Sequence, residues 1–166
     1  MTDTTVVIDG LNRRESGKKS IMSTAVANPY LRTKILTASP EELRMMLYDG
    51  AIKFCRQGRD GLAAKQFEQA YNGLTRAQKI MLELSTSLSS DLDPDLHGKL
   101  SGLYTYIYRL LVDATLDRNV EKIDEAIGLI EYEKETWKLV MQQIATRGQP
   151  LRDTDQPAMN SISTSG

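Results

Sequence analysis

Four stretches of this chain repeat apolar residues at three- and four-residue intervals, and only two to eight residues separate one stretch from the next. That interval belongs to a helix with one buried stripe. Connections so short fold each helix back along its predecessor, so the spacing predicts an all-α chain, an antiparallel up-down-up-down four-helix bundle. The first helix is expected over 40–57, with Ser39 as cap, Pro40 at the first helical position, Glu42 completing a capping box and Gly58 as the stop. Leu43, Leu47, Ala51 and Phe54 would face inward, with Cys55 beside them as a small buried hydrophobe. The second helix, 61–88, would bury Phe67, Ala70, Leu74, Ala77, Met81, Leu84 and Leu88, with Gly73 next to the core where close packing would need it. The third, 95–117, follows Asp93-Pro94 and carries Leu96, Leu100, Leu103, Ile107, Leu110, Leu111 and Ala114. The fourth, 120–146, carries Ile123, Ala126, Ile127, Ile130, Trp137, Met141 and Ile144, and Gly148 ends it.

The ends differ from this middle. Residues 1–22 hold one short apolar run, Val6-Val7-Ile8, and a basic polar stretch, too little to offset the entropy of ordering them, so a flexible arm is expected. Residues 23–38 read as a short N-terminal capping segment, 39–147 as the bundle, and 148–166 as a disordered tail. With 166 residues, a core can form without disulfide or metal. The formal charge of -1 gives no general attraction to nucleic acid or to an acidic membrane. One cysteine excludes an intrachain disulfide and fits a reducing compartment. No apolar run is long enough for membrane insertion, and the N-terminus lacks a secretion core, so a cytoplasmic protein is expected.

Catalytic chemistry finds little to build on. Asp91-Leu92-Asp93-Pro94-Asp95 imitates a calcium loop, but Leu96 stands where the loop needs glycine and Gly102 where it needs the bidentate glutamate. The single histidine, His97, lacks the Glu-x-x-His setting of a di-iron bundle, and no nucleophile elbow or phosphate-cradling glycine loop occurs. Glu121, Glu125, Glu131 and Glu135 alternate with Lys122, Lys134 and Lys138, which reads as a solvated charged face. No enzyme, metal or cofactor is expected.

What stands out is apolar surface beyond one stripe per helix. Met45, Met46, Tyr48 and Ile52 spread around the first helix, Tyr71, Ile80 and Leu82 around the second, Tyr104, Tyr106, Tyr108, Val112 and Leu116 around the third, and Leu129, Tyr132 and Leu139 around the fourth. Three occupants would cover this surplus: the chain's own segment from Asn28 to Leu36, a second copy in an oligomer, or a partner helix.

The run Thr37-Ala38-Ser39-Pro40-Glu41-Glu42-Leu43, followed by Met46-Leu47-Tyr48-Asp49-Gly50-Ala51-Ile52, resembles the opening signature of the flagellar export chaperone family FliS. Ala77-Gln78-Lys79-Ile80 with Leu84, Leu103-Tyr104 with Tyr106 and Leu111, and Trp137 extend the likeness in order and spacing from Asn28 to Thr146. The resemblance implies a cytoplasmic bundle that binds the disordered C-terminal region of flagellin in apolar helix grooves, prevents premature polymerisation and delivers it to the flagellar type III export gate. It implies flagellin-binding positions at Leu47, Tyr48, Ile80, Leu84, Leu103, Tyr104 and Ile107, and an N-terminal cap made by Tyr30, Ile35 and Leu36. Ile80→Glu with Tyr104→Glu is then expected to abolish binding while helicity survives. The chain departs from the family in its longer basic arm and in the Asp-rich turn from Asp91 to Asp95. A self-associating bundle, a homodimer with a structural or adaptor role, stays open as the alternative.

Overall fold

The computed structural model describes residues 28–88 and 93–147. The expected arm 1–22, the first part of the capping segment, Asp91 and Leu92 of the acidic turn, the side chain of Ile144 and the tail 148–166 lie outside the described residues. Within them the chain is helical, with no strand: α1 Pro29–Thr37, α2 Pro40–Ala63, α3 Phe67–Thr86, α4 Pro94–Asp117 and α5 Val120–Arg147. Five helices thus replace the expected four, because the capping segment is itself a helix. None of these helices is long and apolar enough to cross a membrane.

Local chemistry fixes the helix starts. At α1, Asn28 Oδ1 accepts from the Tyr30 and Leu31 N–H groups at 3.1 and 3.4 Å. At α2 the capping box closes in both directions: Glu42 N–H donates to Ser39 Oγ at 3.2 Å and Ser39 N–H to Glu42 Oε2 at 2.8 Å. Asp93 caps α4 through the Asp95 and Leu96 N–H groups, and Asn119 receives the Lys122 N–H at 3.0 Å in the first turn of α5.

The helix ends needed tertiary contacts. Rather than stopping at Gly58, α2 continues through Gly58 and Gly61 to Ala63, and α3 begins at Phe67 instead of residue 61. Both glycines lie where α2 meets α3. A Cβ built on Gly58 would sit 2.7 Å from Leu74 Cδ2, one on Gly61 2.7 Å from Ala70 N, and one on Gly73 2.7 Å from Gly58 N and 2.8 Å from Phe54 O. These glycines let two backbones touch; they do not signal a turn. The turn falls at Ala64–Gln66, where Lys65 takes a left-handed φ of 56° and Gln66 N–H donates to Gly61 O at 2.8 Å.

The four long helices form a closed ring in which α2 packs on α3 and α5, and α4 on α3 and α5. Each runs antiparallel to both neighbours. Gly50 meets Ile80 while Gly61 meets Ala70; Asp49 meets Lys134 while Arg59 meets Asp124; Gln78 meets Thr115 while Phe67 meets Arg118. The core runs through all four helices and takes in Ile35 of α1. Two residues expected inward are exposed, Phe67 at the start of α3, where its ring lies 4.2 Å beneath the Arg118 guanidinium, and Leu96 in the first turn of α4. Conversely, Tyr48, Ile52, Ile80 and Tyr104, expected among the surplus, are core. A stripe count assumes two neighbours per helix, whereas α2 is covered on a third side by α1, and Ile80 of α3 shares that cover.

Gly73→Ala is expected to cost about 2 to 3 kcal/mol, because its methyl meets backbone that cannot give. Gly102→Ala, mid-helix in α4 with nothing within 4 Å of a Cβ, is expected to gain about 1 kcal/mol. Urea unfolding of the two variants checks both signs.

Candidate functional site

Helix α1 has nine residues, too few to persist alone in water. What holds it is apolar contact: Ile35 is fully buried and Leu31 half-buried, while Tyr30 and Leu36 are 75% and 51% exposed. Burying an isoleucine side chain stabilises by about 2 to 3 kcal/mol, so the attachment is modest. Beneath and beside α1 lies a cleft of about 230 Å³, floored by Met46, Gly50 and Phe54 of α2 and Ile80 of α3, with Lys34, Asp49 and Lys53 at its rim. Only Ala38 and Ser39 join α1 to α2, so a rotation at two residues would lift α1 away.

The seven residues marked for flagellin binding are brought together, but mostly inside the protein. Leu47, Tyr48, Ile80, Leu84, Tyr104 and Ile107 are no more than 4% exposed, and Leu103 is half-buried. Of these, Ile80 lines the cleft under α1. A glutamate at Ile80 or Tyr104 would bury an unpaired carboxylate, so that pair of substitutions would break the fold before it tested binding. The apolar surface left outside comprises Tyr71, Leu82, Tyr106, Leu116, Tyr132 and Leu139 from the expected surplus, together with Val140. The charged face of α5 turns partly toward α2, with Arg56 to Glu131 at 2.7 Å, Arg59 to Asp124 at 3.2 Å and Lys134 to Asp49. These pairs are half-exposed and contribute little stability.

Sequence reasoning missed a polar cluster inside the core. The Tyr48 and Tyr104 hydroxyls share a hydrogen bond at 2.5 Å. Arg44 reaches Tyr104 Oη and Ser87 O, each at 3.5 Å, and its guanidinium lies 4.7 Å above the Trp137 ring. Glu133 completes the cluster at 5% exposure. It stands three residues after Ile130 and four before Trp137, so an acid at an inward position of the stripe was the signal that would have found it.

Burial governs the acidities. Desolvation raises the Tyr48 and Tyr104 phenols above their ordinary value, and it pushes the Cys55 thiol up to about 12, which leaves that thiol unreactive. Desolvation also raises the Glu133 carboxyl, with the nearby Arg44 charge opposing it. A carboxyl raised in the folded state favours folding most when protonated. That contribution is complete below the unfolded-chain pKa and is lost as pH rises through the raised folded value. Glu133→Gln is therefore expected to be more stable than the parent at neutral pH, with the difference shrinking as pH falls; thermal melts across the acidic range check it. Tyr48→Phe and Tyr104→Phe are each expected to cost about 1 to 2 kcal/mol by leaving one hydroxyl without its partner, and the double variant less than their sum; a double-mutant cycle in urea checks this. Among the described residues no group of three His, Cys, Asp or Glu side chains could hold a metal.

The family described as "Flagellar protein FliS" matches this chain over residues 22–144. The chain is 31% identical over 121 residues to the flagellar secretion chaperone FliS of Bacillus subtilis (strain 168), covering 71% of this chain and 90% of that protein. It is 31% identical over 113 residues to the protein of the same name from Campylobacter jejuni subsp. jejuni serotype O:6, covering 68% of this chain and 88% of that one. A match that spans every described helix, from ahead of α1 to the last turn of α5, makes this chain a member of the FliS family of flagellar proteins.

Proposed function

We propose that this protein is a cytoplasmic flagellar export chaperone: a four-helix bundle, capped by α1, that binds the disordered C-terminal region of flagellin in apolar helix grooves. It holds that region unpolymerised and delivers it to the flagellar type III export gate as a chaperone–client complex. The family match over residues 22–144 carries the reading. A short helix anchored by one fully buried residue over an apolar cleft supplies its mechanism.

A disordered client loses several kcal/mol in becoming ordered, so it needs a long apolar contact, and an amphipathic helix laid in a groove provides one. Helix α1 occupies such a groove in the free protein. A client helix that competes with Ile35 and Leu31 for the Met46, Phe54 and Ile80 floor would displace α1, and the surplus outer residues would extend the contact. Holding a client needs only preferential affinity for its unpolymerised form, so no nucleotide enters.

Titrating the full chain with the flagellin C-terminal region, and following heat and helicity together, is expected to show binding with a gain of helix. Ile35→Ala is expected to bind roughly 3- to 30-fold more tightly, because it weakens the internal competitor and not the groove floor. Unchanged affinity in that variant would remove α1 from the mechanism. A stable dimer with no affinity for the peptide would instead favour the self-associating structural bundle, read by sedimentation at several concentrations.

A further inference from the structure

The valley that α1 covers does not end where α1 ends. On α2, Gln57 follows Gly50 by seven residues, and on α3, Gln69 precedes Ile80 by eleven; Gly50 and Ile80 both line the cleft under α1. At 100° per residue each pair falls within about 20° of one line, so the same valley between α2 and α3 runs on toward the α2–α3 turn. There it holds a second cleft, of about 500 Å³, lined by Gln57 of α2, Gln66 in the turn, and Phe67, Glu68, Gln69 and Asn72 of α3. Arg76 stands between the two clefts, its guanidinium 5.3 Å over the ring of Phe54, which floors the first.

The two clefts differ in chemistry. The first is floored by Met46, Phe54 and Ile80, which suits the apolar stripe of a helix. The second presents four primary carboxamides, and among the described residues the side chains of Gln57, Gln66, Gln69 and Asn72 form no hydrogen bond. Gln57 and Gln69 are half-buried. By contrast Gln78, on the face of α3 turned to α4, is spent on structure: its Nε2 donates to Leu111 O and Thr115 Oγ1 at 3.2 and 3.3 Å.

A primary carboxamide donates and accepts side by side, as a peptide group does, so a row of them is matched by main chain. The main chain of a helix is already bonded to itself, whereas an extended one offers an N–H and a C=O at each residue. The cleft is also short. From Gln57 to the end of α2 at Ala63 is six residues, about 9 Å along the axis, the reach of about three extended residues. Helix α1 points its N-terminal end this way, because its other end is tied through Ala38 and Ser39 to the start of α2 while Leu31 lies with Lys53 and Phe54. A segment that replaced α1 and continued past its end would enter the second cleft directly.

We propose that Gln57, Gln69 and Asn72 bind the main chain of about three extended client residues flanking the helix that displaces α1, so that recognition there reads peptide groups and not side chains. This rests on the chaperone reading above and gives that client site a second, sequence-tolerant part.

Calorimetry and circular dichroism with the full chain and synthetic C-terminal peptides of flagellin test it, for the parent and for the double variant Gln57→Ala with Asn72→Ala. Both positions lie inside helices, where alanine is the better helix former, so the variant is expected to melt no lower than the parent. It is expected to bind about tenfold more weakly with the gain of helicity on binding unchanged, as for two hydrogen bonds lost to a non-helical stretch. Asn72→Gln, which keeps a carboxamide, is expected to stay within about threefold of the parent. Methylating client peptide nitrogens one at a time is expected to find a position beside the bound helix that weakens the parent severalfold and leaves the double variant unchanged, while alanine at the same residue costs little. Parent-like affinity in the double variant, weakened binding with a lower melting temperature or less induced helix, or a loss that follows client side chains would each overturn the proposal and leave the chaperone reading standing. Tighter binding in the double variant would overturn it too, by placing the chain's own residues ahead of Asn28 in the cleft as a competitor. No binding by the parent would overturn both.

Discussion

The crossing of α2 over α3 sets the geometry of everything else. Gly58, Gly61 and Gly73 let the two helices come so close that a single methyl would collide with main-chain atoms at Gly61 and Gly73 and with the Leu74 side chain at Gly58. Side chains of ordinary size would hold helices 8 to 10 Å apart; removing them draws the axes together and locks their register. That register lays Gly50 beside Ile80, where a Cβ on Gly50 would come within 3.2 Å of Ile80 Cδ1. The shallow place left by Gly50 is part of the cleft that α1 covers. A packing solution near the α2–α3 turn thus shapes the floor of the candidate site several turns away.

The same helix carries a contrast in stability. Toward the α3 turn its core is glycine, alanine and leucine in tight contact. Toward its N-terminus it holds Arg44 and Tyr48, which meet Tyr104, Glu133 and Trp137 in a polar pocket. Polar groups in a core are tolerable only when their hydrogen bonds are made. The tyrosine pair meets that condition, while Glu133 is desolvated there with only the Arg44 charge opposing the cost. The end of the molecule that holds α1 is therefore the end with least to lose by rearranging, as expected of a surface that must exchange an internal helix for an external one.

Much of the site was hidden for a geometric reason. Tyr48, Ile52, Ile80 and Tyr104 lie off the narrow stripe that period counting favours, so they read as outward surplus. Ile80 is buried in the groove that α1 shares, Ile52 lies where α2 meets Glu131 and Lys134 of α5, and Tyr48 and Tyr104 are buried as two phenols sharing one hydrogen bond. Glu133 was passed over for the opposite reason: acidic residues crowd α5, and only its place between Ile130 and Trp137 separates it from the solvated ones. Tyr71, Leu82, Leu116, Tyr132 and Leu139 are exposed as their positions suggested, because each lies on the far side of a helix that has no third neighbour.

By itself the sequence determined the helical class, the starts of the capped helices α2, α4 and α5 and the family, since these depend on apolar period, on Asn, Ser and Asp beside the residues they cap, and on an ordered series of local motifs. Those are short-range properties, written within a few residues of where they act. Only the tertiary structure decided that Gly58 is a contact and not a stop, that the segment before Ser39 folds as a helix once Ile35 finds a groove, and that one glutamate of α5 is buried. Each of these depends on atoms brought near from elsewhere in the chain, and no local pattern encodes which neighbour will arrive.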